Sequence, residues 1–370
     1  MNSLEQFFSD ELASRGKDGI LRSLKIVPNA LQDFTSNDYL GLAGSPILKQ
    51  KIDERVSQLT IGIGATGSRL LSGNSVHHEE LEKKLGTIFQ ADACLIFNSG
   101  YAANLGVFSS IPTRHDTILY DELCHASIKD GIRLSLATRH SFKHNDLNDL
   151  EHKLKAAKGK VFIAVESIYS MDGDSCPLRE LVSLTEQFNA FIILDEAHST
   201  GVLGKDGSGM AVSLSLHEKI AIRIYTFGKA IGTHGACVAG SKHLAAYLIN
   251  FSRPFIYTTA LPAHTVISIS EAFTFIHDHP ALQKVLEEKI NLFKRVAKIQ
   301  SVSSSAIQTI IFDSPDKTKN AANKLIAQGF DIRPILSPTV PAGKERLRIC
   351  LHTFNKDEDI VKLAEELNKL

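Results

Sequence analysis

Phe191-Ile192-Ile193-Leu194-Asp195-Glu196-Ala197-His198 and, further along the chain, Thr226-Phe227-Gly228-Lys229-Ala230-Ile231-Gly232 decide the fold. The first is a β-branched apolar run ending in a carboxylate and an imidazole, and it reads as a buried strand entering a loop. Residues 220–227 end in the same way, on a lysine with glycines on both sides. Open α/β sheets bind ligands outside the carboxyl ends of their strands, so both endings are candidate ligand positions.

Similar runs at 93–98, 117–121, 161–166 and 236–240 alternate with helical patterns, which predicts an α/β domain with a mainly parallel sheet. The spacing of Leu81, Leu85, Ile88 and Phe89 predicts a helix over 78–89 with one apolar face. After a helical pattern around 262–277, His279-Pro280 breaks the periodicity. Strands at 307–312 and 347–351 then alternate with helices at 317–328 and 357–370, the pattern of a smaller α+β domain. The expected division is an N-terminal arm over 1–40 that joins the small domain, a large domain over 41–278 and a small domain over 279–370.

A chain of 370 residues is too long for one core, since single cores stop growing near ~250–300 residues. Its 41 basic and 41 acidic residues cancel, so no broad positive field draws in nucleic acid or an anionic membrane. Cys94, Cys124, Cys176, Cys237 and Cys350 are scattered and lack C-x-x-C spacing, which predicts reduced thiols and no metal site. No apolar run approaches the ~18 residues of a membrane span. The expectation is a cytoplasmic protein whose partners are small molecules.

Gly62-Ile63-Gly64-Ala65-Thr66-Gly67 fits G-x-G-x-x-G, but it follows a helical pattern instead of closing a strand, so it reads as a substrate-facing loop and not a dinucleotide site. Asp195 alone reads equally well as a helix cap, and Lys229 alone as a surface charge. Together they fit pyridoxal phosphate, which needs a lysine for its aldehyde carbon and a carboxylate for its ring nitrogen. Asn98-Ser99-Gly100-Tyr101 follows a strand and opens a helix, so Gly100 and Tyr101 are candidate phosphate donors.

These residues together resemble the α-oxoamine synthases, pyridoxal-phosphate transferases of the aspartate-aminotransferase-like fold (fold type I). The resemblance runs through Thr35–Leu42, Gly67–Asn74, Ser99–Asn104, Asp121–Ser127, Ser170–Asp174, Asp195–Gly201 and Thr226–Gly232. It implies that Lys229, His125, Asp195 and His198 are catalytic: His125 stacks on the cofactor ring, Asp195 pairs with its nitrogen, and His198 and Ser170 approach its hydroxyl. It also implies that Thr226 meets the phosphate and that Thr258 or Thr259 meets the phosphate of a neighbouring subunit, hence a homodimer. Arg348 takes the place of the family's arginine for the amino-acid carboxylate, a bidentate task suited to guanidinium. Arg22, Asn37 and Thr339 match substrate-side positions.

The implied reaction is decarboxylative condensation of an amino acid with an acyl-CoA or acyl-carrier-protein thioester. The stretch Ser252–Pro262 is most like members that join L-alanine to a pimeloyl thioester in biotin synthesis. Glycine- and serine-using members and the aminotransferases share most of the ring-binding set. Arg69 and Leu70 depart from many of the biotin-pathway members and add bulk near the acyl position.

Overall fold

The computed structural model describes residues 3–24, 26, 28, 30–299 and 303–370. They form two compact units. One takes in the chain up to Ser36, Met171–Gly173 and Glu288–Leu370; the other comprises Asn37–Ser170 and Asp174–Glu287.

The second unit is built on seven strands: β1 (Ala93–Phe97), β2 (Thr117–Asp121), β3 (Thr138–Phe142), β4 (Val161–Glu166), β5 (Phe191–Asp195), β6 (Ile222–Thr226) and β7 (Ala236–Gly240). Their order is β1-β7-β6-β5-β4-β2-β3. Only β7 runs against its neighbours; the β6–β5–β4–β2–β3 pairs are parallel. Every residue of β4 and β6 is buried, so β4 is apolar up to Glu166 and does not alternate, while β6 carries Arg223 inside, its guanidinium donating to the carbonyls of Phe89 (2.5 Å) and Gln90 (3.1 Å). Leu95, Phe97, Ile118, Ile193 and Ile224 of the sheet pack with Val107 and Phe108 of helix α1 (Gly100–Ser110) and Ile128 and Ile132 of helix α2 (Ala126–Leu134). The Gly62–Gly67 stretch lies in neither helix nor strand, between helices Pro46–Ser57 and Val76–Ile88.

The sheet has one strand more than the sequence suggests. In β3, Thr138, Arg139, His140 and Ser141 are exposed and only Phe142 is buried, so the strand carries no apolar run. It is held by ladder bonds to β2 at the sheet edge.

The first unit holds an antiparallel sheet in the order Arg333–Ile335, Arg346–Cys350, Ile307–Ile311. Helix Asp357–Leu367 buries Ile360, Leu363, Ala364 and Leu367, a spacing that makes one stripe; each large apolar side chain so buried contributes roughly 1.5–3 kcal/mol. Among the described residues no helix is long and apolar enough to cross a membrane.

Candidate active site

At the carboxyl edge of the large sheet, the ends of β1, β2, β4, β5 and β6 meet the start of the reversed β7. They line a cavity of ≈ 290 Å³ that holds Gly100, Tyr101, His125, Glu166, Asp195, His198, Thr226 and Lys229. The loop after β6 turns sharply: Phe227 N donates to Gly235 O (2.9 Å), and Gly232 N to Lys229 O (2.8 Å). Gly232 has φ +67°, and a Cβ there would stand 2.3 Å from Ala43 N. The tight turn thus requires glycine, and it presents half-buried Lys229 to the cavity.

Asp195 is buried and doubly anchored. Asn104 Nδ2 donates to its Oδ2 (2.7 Å) and Ala197 N to its Oδ1 (2.8 Å). Glu166 lies beside it in the β4–β5 register and accepts from His125 N (2.5 Å). Burial, reinforced by the Asp195 carboxylate, pushes Glu166 up to about 8, so at neutral pH it is mostly protonated. Desolvation lowers the His125 imidazole below its ordinary value, with Asp195 pulling the other way and Lys229 adding to the fall. His125 Nδ1 lies 2.8 Å from Ser127 Oγ, and Ser127 in turn accepts from Asn104 (3.1 Å). His198 Nδ1 meets Tyr39 Oη at 2.8 Å, and Tyr39 donates to Asn37 Oδ1 (3.0 Å).

The opposite wall is the start of α1. Ser99 Oγ caps Ala102 N (3.1 Å), so the amides ahead of it, those of Gly100 and Tyr101, are the ones the helix leaves for a ligand. A Cβ on Gly100 would stand 2.4 Å from Thr226 Cγ2, so only glycine allows this approach of α1 to β6. Thr226 Oγ1 is buried without a hydrogen-bond partner, as is Asn104 Oδ1.

Seven of the residues singled out in the sequence therefore line one cavity: Gly100, Tyr101, His125, Asp195, His198, Thr226 and Lys229. Asn37, Ser170, Thr258 and Thr259 belong to the same unit but not to its lining. Asn98 Nδ2 binds Thr258 Oγ1 (3.1 Å) and Thr259 O (2.7 Å). Arg22, Thr339 and Arg348 belong to the first unit, where Arg22 Nη2 donates to Thr339 Oγ1 (3.1 Å) and Arg348 Nη1 lies 3.0 Å from Cys350 Sγ. Arg69 is committed elsewhere: its guanidinium holds Glu82 (2.7 and 3.1 Å) and Asn74 (2.7 Å).

Asn104, Ser127, Glu166 and His234 also line the cavity and were not singled out. Two of them carried a signal. Glu166 ends a buried apolar strand just as Asp195 does, and Asn104 is a polar residue in an apolar helical turn, four residues after Gly100.

The family model described as aminotransferase class I and II matches residues 30–367. The 8-amino-7-oxononanoate synthase of Emericella nidulans is 40% identical over 373 residues, covering 94% of this chain and 90% of that protein. Among solved structures, 8-amino-7-oxononanoate synthase from Francisella tularensis aligns with TM-score 0.80 at 29% identity, over 92% of this chain and 98% of that one. A lysine-to-alanine variant of serine palmitoyltransferase from S. paucimobilis, with a bound PLP–myriocin aldimine, aligns with TM-score 0.89, over 100% of this chain and 98% of that one. At 23% identity this last likeness concerns the fold alone, which is that of fold type I transferases. The chain belongs to the aminotransferase class I and II family, in its α-oxoamine synthase branch.

Proposed function

We propose that this pyridoxal-phosphate-dependent acyltransferase condenses L-alanine with a pimeloyl thioester, releasing 8-amino-7-oxononanoate, CO2 and the free thiol of CoA or a carrier protein. The observation that carries the cofactor reading is one cavity in which Lys229 and Asp195 stand with the helix-start amides of Gly100 and Tyr101 and the unpartnered hydroxyl of Thr226. A buried hydroxyl without a partner beside a helix N-terminus fits a phosphate group, which would accept from both. The 36–40% identical relatives named 8-amino-7-oxononanoate synthase support this product, and with it a place in biotin synthesis.

Pyridoxal phosphate, when bound, takes into its ring the electron pair left at the amino acid's α-carbon. Lys229 Nζ would bond the aldehyde carbon, then take the α-proton once the substrate amine has displaced it, and later return a proton. Asp195, fixed from two sides by Asn104 and Ala197, would accept from the ring N–H. His125 would lie on the ring face, and His198 and Ser170 would meet its hydroxyl. Arg348 would hold the alanine carboxylate until it leaves as CO2, with Asn37 and Thr339 on the substrate side. In a homodimer, Thr258 or Thr259 would reach the neighbouring subunit's phosphate. Since Glu82 occupies Arg69, the proposed cation for the distal pimeloyl carboxylate is Arg22.

Thr226→Val tests the phosphate position. Without cofactor the variant should be about 1 kcal/mol more stable, because an unpaired buried hydroxyl is removed. With cofactor it should bind about tenfold more weakly, because one hydrogen bond to a charged group is gone. Thermal melts of both forms and a cofactor titration check the two signs, and unchanged affinity would take Thr226 out of the phosphate site.

Substrate identity is tested by competing pimeloyl, succinyl, acetyl and palmitoyl thioesters against one another with alanine, glycine and serine, reading thiol release. Pimeloyl with alanine should be preferred, and Arg22→Ala should lose about tenfold in kcat/KM for the pimeloyl thioester. Preference for palmitoyl or acetyl would overturn the substrate assignment while leaving the cofactor chemistry in place.

A further inference from the structure

His144 follows β3 and is absent from the cavity lining, yet both of its ring nitrogens are bonded. Nδ1 lies 2.9 and 3.1 Å from the two carboxylate oxygens of Asp121, and Nε2 lies 2.7 Å from Asp174 Oδ2. Asn145, in left-handed backbone at φ 53°, doubles the bridge: its N donates to Asp121 Oδ2 (2.9 Å) and its Nδ2 to Asp174 Oδ2 (2.9 Å).

Each carboxylate shapes a segment that carries a cavity residue. Asp121, fully buried at the end of β2, also accepts from Leu123 N (2.8 Å), which forms the turn leading to His125. Asp174 closes the hairpin that leaves Glu166: Tyr169 N donates to Asp174 O (2.9 Å), and Ile168 bridges to Ser175. The two segments meet at the cavity, where His125 N donates to Glu166.

We infer that His144 is a positioning residue: by bridging Asp121 and Asp174 it fixes the His125 turn against the hairpin after Glu166, and with it the wall that would meet the cofactor ring. The inference rests on the cofactor reading above.

Two acceptors, one at each nitrogen, require two N–H donors, which only the imidazolium offers. Burial opposes that charge, but the bonds to Asp121 and Asp174 outweigh it and lift His144 to about 10. The other groups around the bridge are Tyr169, whose ring stands edge-on with its centroid 4.5 Å from that of the imidazole, Glu122, which accepts from His144 N (3.2 Å), and buried Cys124 and Cys176. None of these adds a positive charge. Because the folded value lies above the ordinary 6.5, the bridge is complete below 6.5 and is lost as pH rises toward 10.

The test measures kcat per cofactor-loaded site across pH in the holoenzyme, for wild type, H144Q and D174N. Wild-type turnover should stay level with respect to this group up to about pH 9. D174N removes one of the two anions, so its turnover should already fall about tenfold between about pH 7 and pH 9, as the imidazolium loses its proton earlier. H144Q should lose about 10- to 100-fold at every pH, with KM for both substrates within about twofold of wild type, because misplacement of the wall acts on the chemical step. Should H144Q fail to fold, D174N decides alone. A merely structural bridge would lower Tm and leave kcat per loaded site and its pH profile unchanged in every folded variant, and that result overturns the inference. A wild type without cofactor-dependent turnover would overturn the cofactor reading, and this inference with it.

Discussion

Lys229→Ala should lose at least about 10³-fold in turnover while still binding the cofactor, because the variant removes the one amine proposed both to bond the aldehyde carbon and to move the α-proton. The amine acts on the charge of its neighbours, adding to the burial that lowers His125 and opposing the burial that raises Glu166, but the backbone of the site does not rest on it. Gly232 and Gly235 set the turn through backbone conformation, and Gly100, Tyr101 and Thr226 form the wall proposed for the phosphate without it. The variant should therefore fold with a Tm within a few degrees of wild type and keep cofactor affinity within about tenfold. Added methylamine should restore a measurable part of the turnover by supplying an untethered amine. Turnover within tenfold of wild type would remove Lys229 from proton transfer.

Asp195→Asn should cost about 10²- to 10³-fold in kcat, the scale on which a preorganised charge aimed at a reacting group acts. An amide has one oxygen where the carboxylate has two. Asp195 accepts from Asn104 at one oxygen and from Ala197 N at the other, so the variant leaves one of these donors unpaired in a buried site, at about 1–3 kcal/mol. It also removes the neighbouring negative charge that, after burial, raises Glu166, so the Glu166 carboxyl should move down from about 8. A pH-dependent infrared or NMR signal from Glu166 would report that movement. Kinetics would report the loss at the proposed contact with the ring nitrogen. Near-wild-type kcat together with a displaced Glu166 would separate the two effects and exclude Asp195 from catalysis.

The parts of the fold legible in the sequence are those where burial dictates composition. Strands 93–97, 117–121, 161–166 and 191–195 are mostly buried and mostly apolar, and the residues just past their ends follow from the strand boundaries. Those boundaries, with that of the run 220–227, bring Gly100, Asp195 and Lys229 to the same sheet edge in the sequence itself. Strand Thr138–Phe142 was illegible because ladder bonds and not burial hold it, and Arg333–Ile335 because Pro334 interrupts a three-residue run. Helix Ala281–Val296 begins directly after Pro280, where the sequence showed only a break.

Side-chain register was harder to read than strand position. Nothing in one dimension shows that Asn104 turns inward to meet Asp195, or that His144 spans Asp121 and Asp174. Those pairings depend on close packing of helices α1 and α2, where a Cβ on Gly131 would stand 3.0 Å from Asn104 O, and on the left-handed turn at Asn145.

The central claim, that Lys229 carries the cofactor, is tested most directly by reducing the cofactor-loaded protein with borohydride and sequencing its peptides by mass spectrometry. The account predicts a single pyridoxyl-phosphate adduct, on the Lys229 peptide, lost in Lys229→Ala. An adduct on another lysine, or none, would contradict it.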